Sequence, residues 1–353
     1  MDKNNPMSIK DLIDKHKNEP ELKFIWGEIP IGSKGLIVGV AKSGKTTFAE
    51  NLAISIALGK DEFFGEKLLG QPKKVLFVNL EESGRIKNLR VKKQIKNLTD
   101  KENLLLGENY LTNPEEFPEF MGSDNDWEKL EDLIKKSDAE LIIIDSLSHL
   151  LAGKIENSQD CLSFTKKFRK YVMSSNKTVI VIHHNIKSNN KPLDQESIAG
   201  SRVITQEFEY GIGFANIPNR NGEKYCLSIY NKYVGIDNTL AKICGIDKEL
   251  WFEKIGEENV YDLYKENFND ARFNDANGKI IISFFKDKCS QGIKVVSSKD
   301  LQDKFASGEE KIMSKQTLYQ WLKTLHLSGE IIKVEHGKYK YALNLMEGDN
   351  EKE

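Results

Sequence analysis

Residues Gly39, Val40, Ala41, Lys42, Ser43, Gly44, Lys45, Thr46 and Thr47 form a glycine-bounded loop that ends in Lys-Thr-Thr. The spacing is G-x-x-x-x-G-K-[ST], and it follows an apolar run and opens an amphipathic one, as a strand-to-helix turn must. Successive backbone N–H groups in such a turn, together with the positive end of the helix, make a concave site for phosphate oxygens. Glycine at 39 and 44 lets the chain turn tightly and come close to those oxygens. Lys45 is placed to reach the outer phosphates as a point charge, and the Thr46 hydroxyl to ligate Mg²⁺.

Three further groups can serve the same chemistry. Leu141-Ile-Ile-Ile-Asp145 is four apolar residues closed by a carboxylate. A buried strand of that form delivers its acid to the edge where open parallel sheets bind ligands, so Asp145 is expected to hold Mg²⁺ through water. The run VLFVNL ends in Glu81-Glu82, either of which can serve as the base or water-orienting group that phosphoryl transfer to water requires. The run TVIVIH ends in His183-His184-Asn185, polar groups able to hydrogen-bond a terminal phosphate or the attacking water.

These groups need a scaffold that brings several strand ends to one edge. Between residues 34 and 232, short apolar runs alternate with longer amphipathic ones, the pattern of a mostly parallel sheet flanked by helices. Strands are expected at 34–39, 74–80, 140–145, 178–183, 209–215 and 225–231, with helices at 45–58, 126–137 and 158–175. Their β-branched, two-sided apolar character suits strands covered on both faces. The Asn/Asp/Gly-rich stretch from Asn267 to Gly278 reads as a boundary. The organisation expected is an N-terminal extension (1–20), an ATPase domain (21–255), a linker (256–278), a small C-terminal domain (279–345) and an acidic tail (346–353).

The C-terminal part reads differently. Helices are expected at 279–289, 298–306 and 314–327, followed by EIIKVE and KYKYAL, two alternating strands joined at His336-Gly337. Three helices and a hairpin are the order of a winged helix. In the last helix Leu318, Leu322 and Leu325 form a core stripe, while Lys315, Gln316, Tyr319, Gln320 and Lys323 fall largely on the other face. Such side chains contact phosphates and base edges when a recognition helix enters a major groove, and they also make an ordinary solvated face. Lys338 on the hairpin is positioned as a wing contact to the DNA backbone.

Taken over the whole chain, charge gives no hint of that partner: 52 Lys+Arg against 54 Asp+Glu gives −2 overall. Residues 276–343, however, hold 12 lysines, no arginine and 7 acids, a net of +5 that leaves −7 for the remainder. DNA contact by this module is therefore compatible with composition, with backbone binding favoured over base reading because arginine is missing. No run approaches the roughly 18 apolar residues of a membrane span, and the N-terminus lacks the apolar core of a secretory signal. A cytoplasmic location without membrane contact is expected. The dispersed Cys161, Cys226, Cys244 and Cys289 exclude a C-x-x-C zinc pattern and point to reduced thiols.

The order of FIWGEIPIGSKGLIVGVAKSGKTT, ENLAISIALGK, VLFVNLEES, LIIIDSLSHL and VIVIHHNIK resembles the RecA-like ATPases, in particular the plasmid RepA and replicative hexameric helicase branch, AAA-type domains of mobile elements. The likeness covers about residues 20–235. It implies ATP and Mg²⁺ as cofactors, Glu81 rather than Glu82 as the catalytic carboxylate, and His184 as a sensor of the terminal phosphate. It also implies a homo-oligomer, with a hexamer as the form the resemblance suggests, in which a neighbour's basic residue completes each site. That residue would be Lys232, standing where the related helicases carry arginine, or Arg202. Of the two loops that could face a ring channel, 153–160 and 185–197, the second carries Lys187 and Lys191 for single-strand phosphates. The implied activity is a DNA motor of helicase type, with an ATP-switched DNA-binding regulator or a partition- or recombinase-like ATPase as the alternatives.

Overall fold

The computed structural model describes residues 7–18, 21–151, 153, 157–175, 177–184, 193, 198, 202–233, 239–268, 276–308 and 311–342. Nine strands form the central sheet: β1 (Lys34–Gly39), β2 (Val75–Asn79), β3 (Tyr110–Thr112), β4 (Leu141–Asp145), β5 (Thr178–His184), β6 (Tyr210–Asn216), β7 (Lys224–Asn231), β8 (Leu240–Ile246) and β9 (Phe252–Asn259). Their order is 9-8-7-6-1-5-4-2-3. From β6 through β1, β5, β4 and β2 to β3 every pair is parallel, whereas β7, β8 and β9 add an antiparallel extension.

Period-two alternation explains why the central strands read as unbroken apolar runs. Val38, Leu76, Val78, Ile142, Ile144, Val179 and Val181 face one core. Ile37, Val75, Phe77, Leu141, Ile143, Ile180 and Ile182 face the other. Both faces are covered, one by the helices Asp124–Ser137 and Ser158–Tyr171, the other by Lys45–Ala57. On the second face Phe48, fully buried, lies 5.0–5.7 Å from the rings of Trp26, Phe63, Phe64, Phe214 and Phe252. Aromatic pairs at these centroid separations add roughly 0.5–1.5 kcal/mol each beyond area burial.

Parallel register is what positions the site. Gly39 pairs with His184, Asp145 with Ile182, and Asn79 with Asp145, so the carboxyl ends of β1, β5, β4 and β2 finish level with one another.

Ordered structure extends further than the sequence pattern indicates. Residues 256–267, expected in the linker, form the end of β9 and the helix Val260–Asn267, which buries Leu263 and Tyr264 in the first core. Asn259 caps that helix by accepting from the N–H groups of Tyr261 and Asp262, so its polar composition marks a helix start rather than a chain break. The helix expected over 158–175 ends at Tyr171, followed by a 3₁₀ turn at Met173–Ser175.

The C-terminal module contains the helices Ala276–Ser290, Ser298–Phe305 and Lys315–Leu327, with β10 (Val296–Ser297), β11 (Ile331–Glu335) and β12 (Lys338–Tyr341) in the order 10-12-11. It has a core of its own, built from Ile281, Phe285, Leu301, Phe305, Leu318, Trp321, Leu322 and Leu325. Among the described residues no helix is long and apolar enough to cross a membrane.

Candidate functional site

The loop from Val40 to Gly44 joins β1 to the helix Lys45–Ala57, and Gly44 occupies the helix N-cap with φ +98°. A Cβ there would be strained and would sit 2.9 Å from the Phe252 ring, which explains the second glycine. The first has a different reason from the one its spacing suggests. A Cβ on Gly39 would stand 1.9 Å from the Phe214 carbonyl oxygen, so glycine is required for β1 to lie against β6.

Lys45 is 3% exposed and donates to the Val40 carbonyl at 2.8 Å, folding back over its own loop. Burial lowers its pKa to about 8, against the opposing pull of Asp145 and Glu81. The Ser43 hydroxyl is buried without a hydrogen-bond partner. Thr46 donates to Asp145 Oδ2 at 2.6 Å. Asp145 is 1% exposed, and its other oxygen, Oδ1, is buried without a partner. Burial raises the Asp145 pKa to about 6 even though the Thr46 hydrogen bond opposes the rise.

Glu81 and His184 meet across the same edge, with His184 Nε2 2.9 Å from Glu81 Oε2. Burial pushes the Glu81 carboxyl up, but the hydrogen bond and charge of His184, with help from Ser146 and His149, bring it below its ordinary range. Glu81, Asp145 and His184 each offer a ligand atom within 4.8 Å of the others. The loop, Thr46, Asp145, Glu81 and His184 thus converge, as their strand ends require.

Glu82 is drawn away from this cluster. Its carboxylate pairs with Arg90 at 2.6 Å, and Arg90 also makes a two-pronged contact with Glu50 at 2.5 and 2.9 Å. Glu50 lies on the phosphate-loop helix and is fully buried. Lys87, buried on the next helix, donates to Thr112 Oγ1 at 2.7 Å and has its pKa lowered to about 8 by burial. This charged layer beneath the site was not found by motif reading, although a lone glutamate in the apolar run FAENLAISIAL is its trace in the sequence.

The remaining candidates lie elsewhere. Lys232 follows β7 and donates to the Gln206 carbonyl at 2.7 Å, while its N–H bonds Glu209 at the opposite edge of the sheet from the loop. Arg202 begins the helix Arg202–Glu207, and Lys187 and Lys191 lie outside the described residues. Lys315, Gln316, Tyr319 and Lys323 are exposed on the helix Lys315–Leu327, with Gln320 half-buried. Tyr319 accepts from Gln302 at 2.5 Å, and Lys338 pairs with Glu335 at 2.5 Å on the hairpin.

A family model described as an AAA domain matches residues 5–190, more than half of the chain. No curated protein gives a significant match. The matched span contains the phosphate loop, Glu81, Asp145 and His184 on a RecA-like sheet. The chain belongs to the AAA-domain family of P-loop NTPases.

Proposed function

We propose that the protein is an ATP-hydrolysing motor acting on DNA, of the helicase type found in replication and mobile-element systems. The observation that carries hydrolysis is the convergence of Thr46, Asp145, Glu81 and His184 beside the loop. Lys45 turns from the Val40 carbonyl to the phosphate oxygens, exchanging a neutral acceptor for a charged one. Glu81, held ionised, orients the attacking water and takes its proton. His184 links Glu81 to the γ-phosphate, so that the carboxylate and the nucleotide share one hydrogen-bonding partner.

The residues fit Mg²⁺. Asp145 presents a buried oxygen with no protein partner, and Thr46 presents a hydroxyl, both hard oxygen donors. Held by Thr46 and Asp145, the ion would supply positive charge to offset that of the phosphates.

Action on DNA rests on the C-terminal module and on the likeness to the RepA and hexameric helicase branch. The module's helix–strand–helix–helix–strand–strand order supports a winged-helix reading, and its net charge is +5. Lys315, Gln316, Tyr319, Gln320, Lys323 and Lys338 supply contacts to duplex DNA, while Lys187 and Lys191 hold a single strand in the channel of a homo-oligomeric ring. Lys232 or Arg202 completes a neighbour's site.

One observation favours a second reading, an ATP-switched DNA-binding regulator. Lys232 replaces the arginine of related helicases, lacks its planar fork and is engaged by its own chain. The two readings part in a strand-separation assay run beside Lys45→Ala, with light scattering for ring size. Unwinding by wild type alone supports the motor, whereas hydrolysis without unwinding at any salt concentration supports the regulator.

A further inference from the structure

At the lip of the phosphate loop stands a lysine that the site as described does not use. Lys224 opens β7, opposite Asn216 at the end of β6. Because β6 runs parallel to β1, this hairpin end lies on the same edge as the loop. The Lys224 side chain reaches over the loop: its Cε is 3.8 Å from where a Cβ on Gly44 would stand, beside the Phe252 ring.

Its neighbours among the described residues supply no counter-charge. The Lys224 ammonium donates to Asn216 Oδ1, a neutral acceptor. Among the described residues no carboxylate pairs with it. The thiol beside it, Cys244, is buried and held neutral. Half-buried, Lys224 has its pKa lowered by desolvation. It also stands near the N-terminus of the helix Lys45–Ala57, where the helix dipole is positive and disfavours a cation. Partial burial, a neutral partner and an unfavourable dipole are all offset if an anion bound at the loop N–H groups and the helix end comes within reach of the ammonium.

We propose that Lys224 is a second cation supplied by the same chain to the phosphate groups of the bound nucleotide, with Asn216 positioning its ammonium. This rests on the nucleotide-binding reading of the loop. Lys45 approaches the phosphates from within the loop, and Lys224 from the β6–β7 hairpin on its outer side.

The test is a thermal-shift and equilibrium-binding series on the full chain with MgADP as the probe, comparing wild type, Lys224→Met, Lys224→Gln and Lys224→Arg. In Lys224→Met and Lys224→Gln the nucleotide-free melting temperature is expected to equal or exceed wild type, because a desolvated charge is removed. The MgADP-induced rise is expected to shrink and the dissociation constant to weaken roughly tenfold or more, with Lys224→Arg retaining most of both. Lowered nucleotide-free melting with an unchanged MgADP rise would make Lys224 a structural pin of the hairpin and overturn the proposal. So would an unchanged dissociation constant. Wild type that gives no MgADP-induced rise would remove the nucleotide reading itself, which the variants leave standing when they alone lose affinity.

Discussion

Beside the phosphate loop, charged side chains are withdrawn from water and each is held by a specific polar partner; in the C-terminal module they stand in water around an apolar core. Lys45, Glu50 and Asp145 are each at most 3% exposed, and each is fixed by a short contact. Lys315 and Lys323 are exposed on a helix whose other face buries Leu318, Trp321, Leu322 and Leu325. A buried charge has one place to be, and its removal strands its partner. A surface lysine is cheap to remove and informative only when a ligand arrives. The first region therefore carries its evidence in geometry, the second in charge balance and topology.

The sharpest way to break this contrast is Arg90→Met, which leaves Glu50 ionised and buried against the phosphate-loop helix. We expect a loss of about 3–5 kcal/mol in urea denaturation, partly recovered when Glu50→Gln is added. A change below about 1 kcal/mol would show that the charged layer is not structural. In the other region the corresponding weight lies in apolar packing, so Leu322→Ala should cost about 2–5 kcal/mol by the same measurement.

Asp145 gives a smaller effect with a defined sign. Its pKa rises from the ordinary 3.8 to about 6, so between these values the folded protein holds a proton that the unfolded chain has released. The group thus destabilises the nucleotide-free fold above about pH 6, and that penalty fades as pH falls toward 4. Asp145→Asn is expected to be more stable than wild type by about 2 kcal/mol at pH 7 and equal to it near pH 4. A constant difference across that range in pH-dependent melting would exclude the assignment. Smallest in stability is the pair Lys315→Ala and Lys323→Ala, expected within about 0.5 kcal/mol of wild type. If the module binds duplex DNA, fluorescence anisotropy of the double variant will show weaker binding and a salt slope reduced by about two.

Much of the site was legible because it is written locally. The loop's spacing identifies itself, and LIIID, VLFVNLEE and TVIVIHH are apolar runs that must be strands ending in polar groups. Parallel pairing then obliges those ends to meet. What stayed hidden depends on contacts between distant segments. Arg90 meets Glu50 40 residues away, and Lys224 reaches Gly44 from a hairpin that carries no motif. Strands β8 and β9 were also missed: KICGI and FEKIGEEN are mixed in polarity because this part of the sheet is covered less evenly than the centre, with Ile246 and Ile255 exposed. The reason for Gly39 was legible only in part, since a glycine that serves strand packing looks the same in sequence as one that serves a phosphate.

The central claim is that Glu81 and the loop form one hydrolytic site. It is tested most directly by comparing ATP binding and single-turnover hydrolysis in wild type and Glu81→Gln. In Glu81→Gln, ATP affinity is expected to stay within about threefold of wild type and hydrolysis to slow by at least roughly 100-fold. Hydrolysis at the wild-type rate in Glu81→Gln would contradict it.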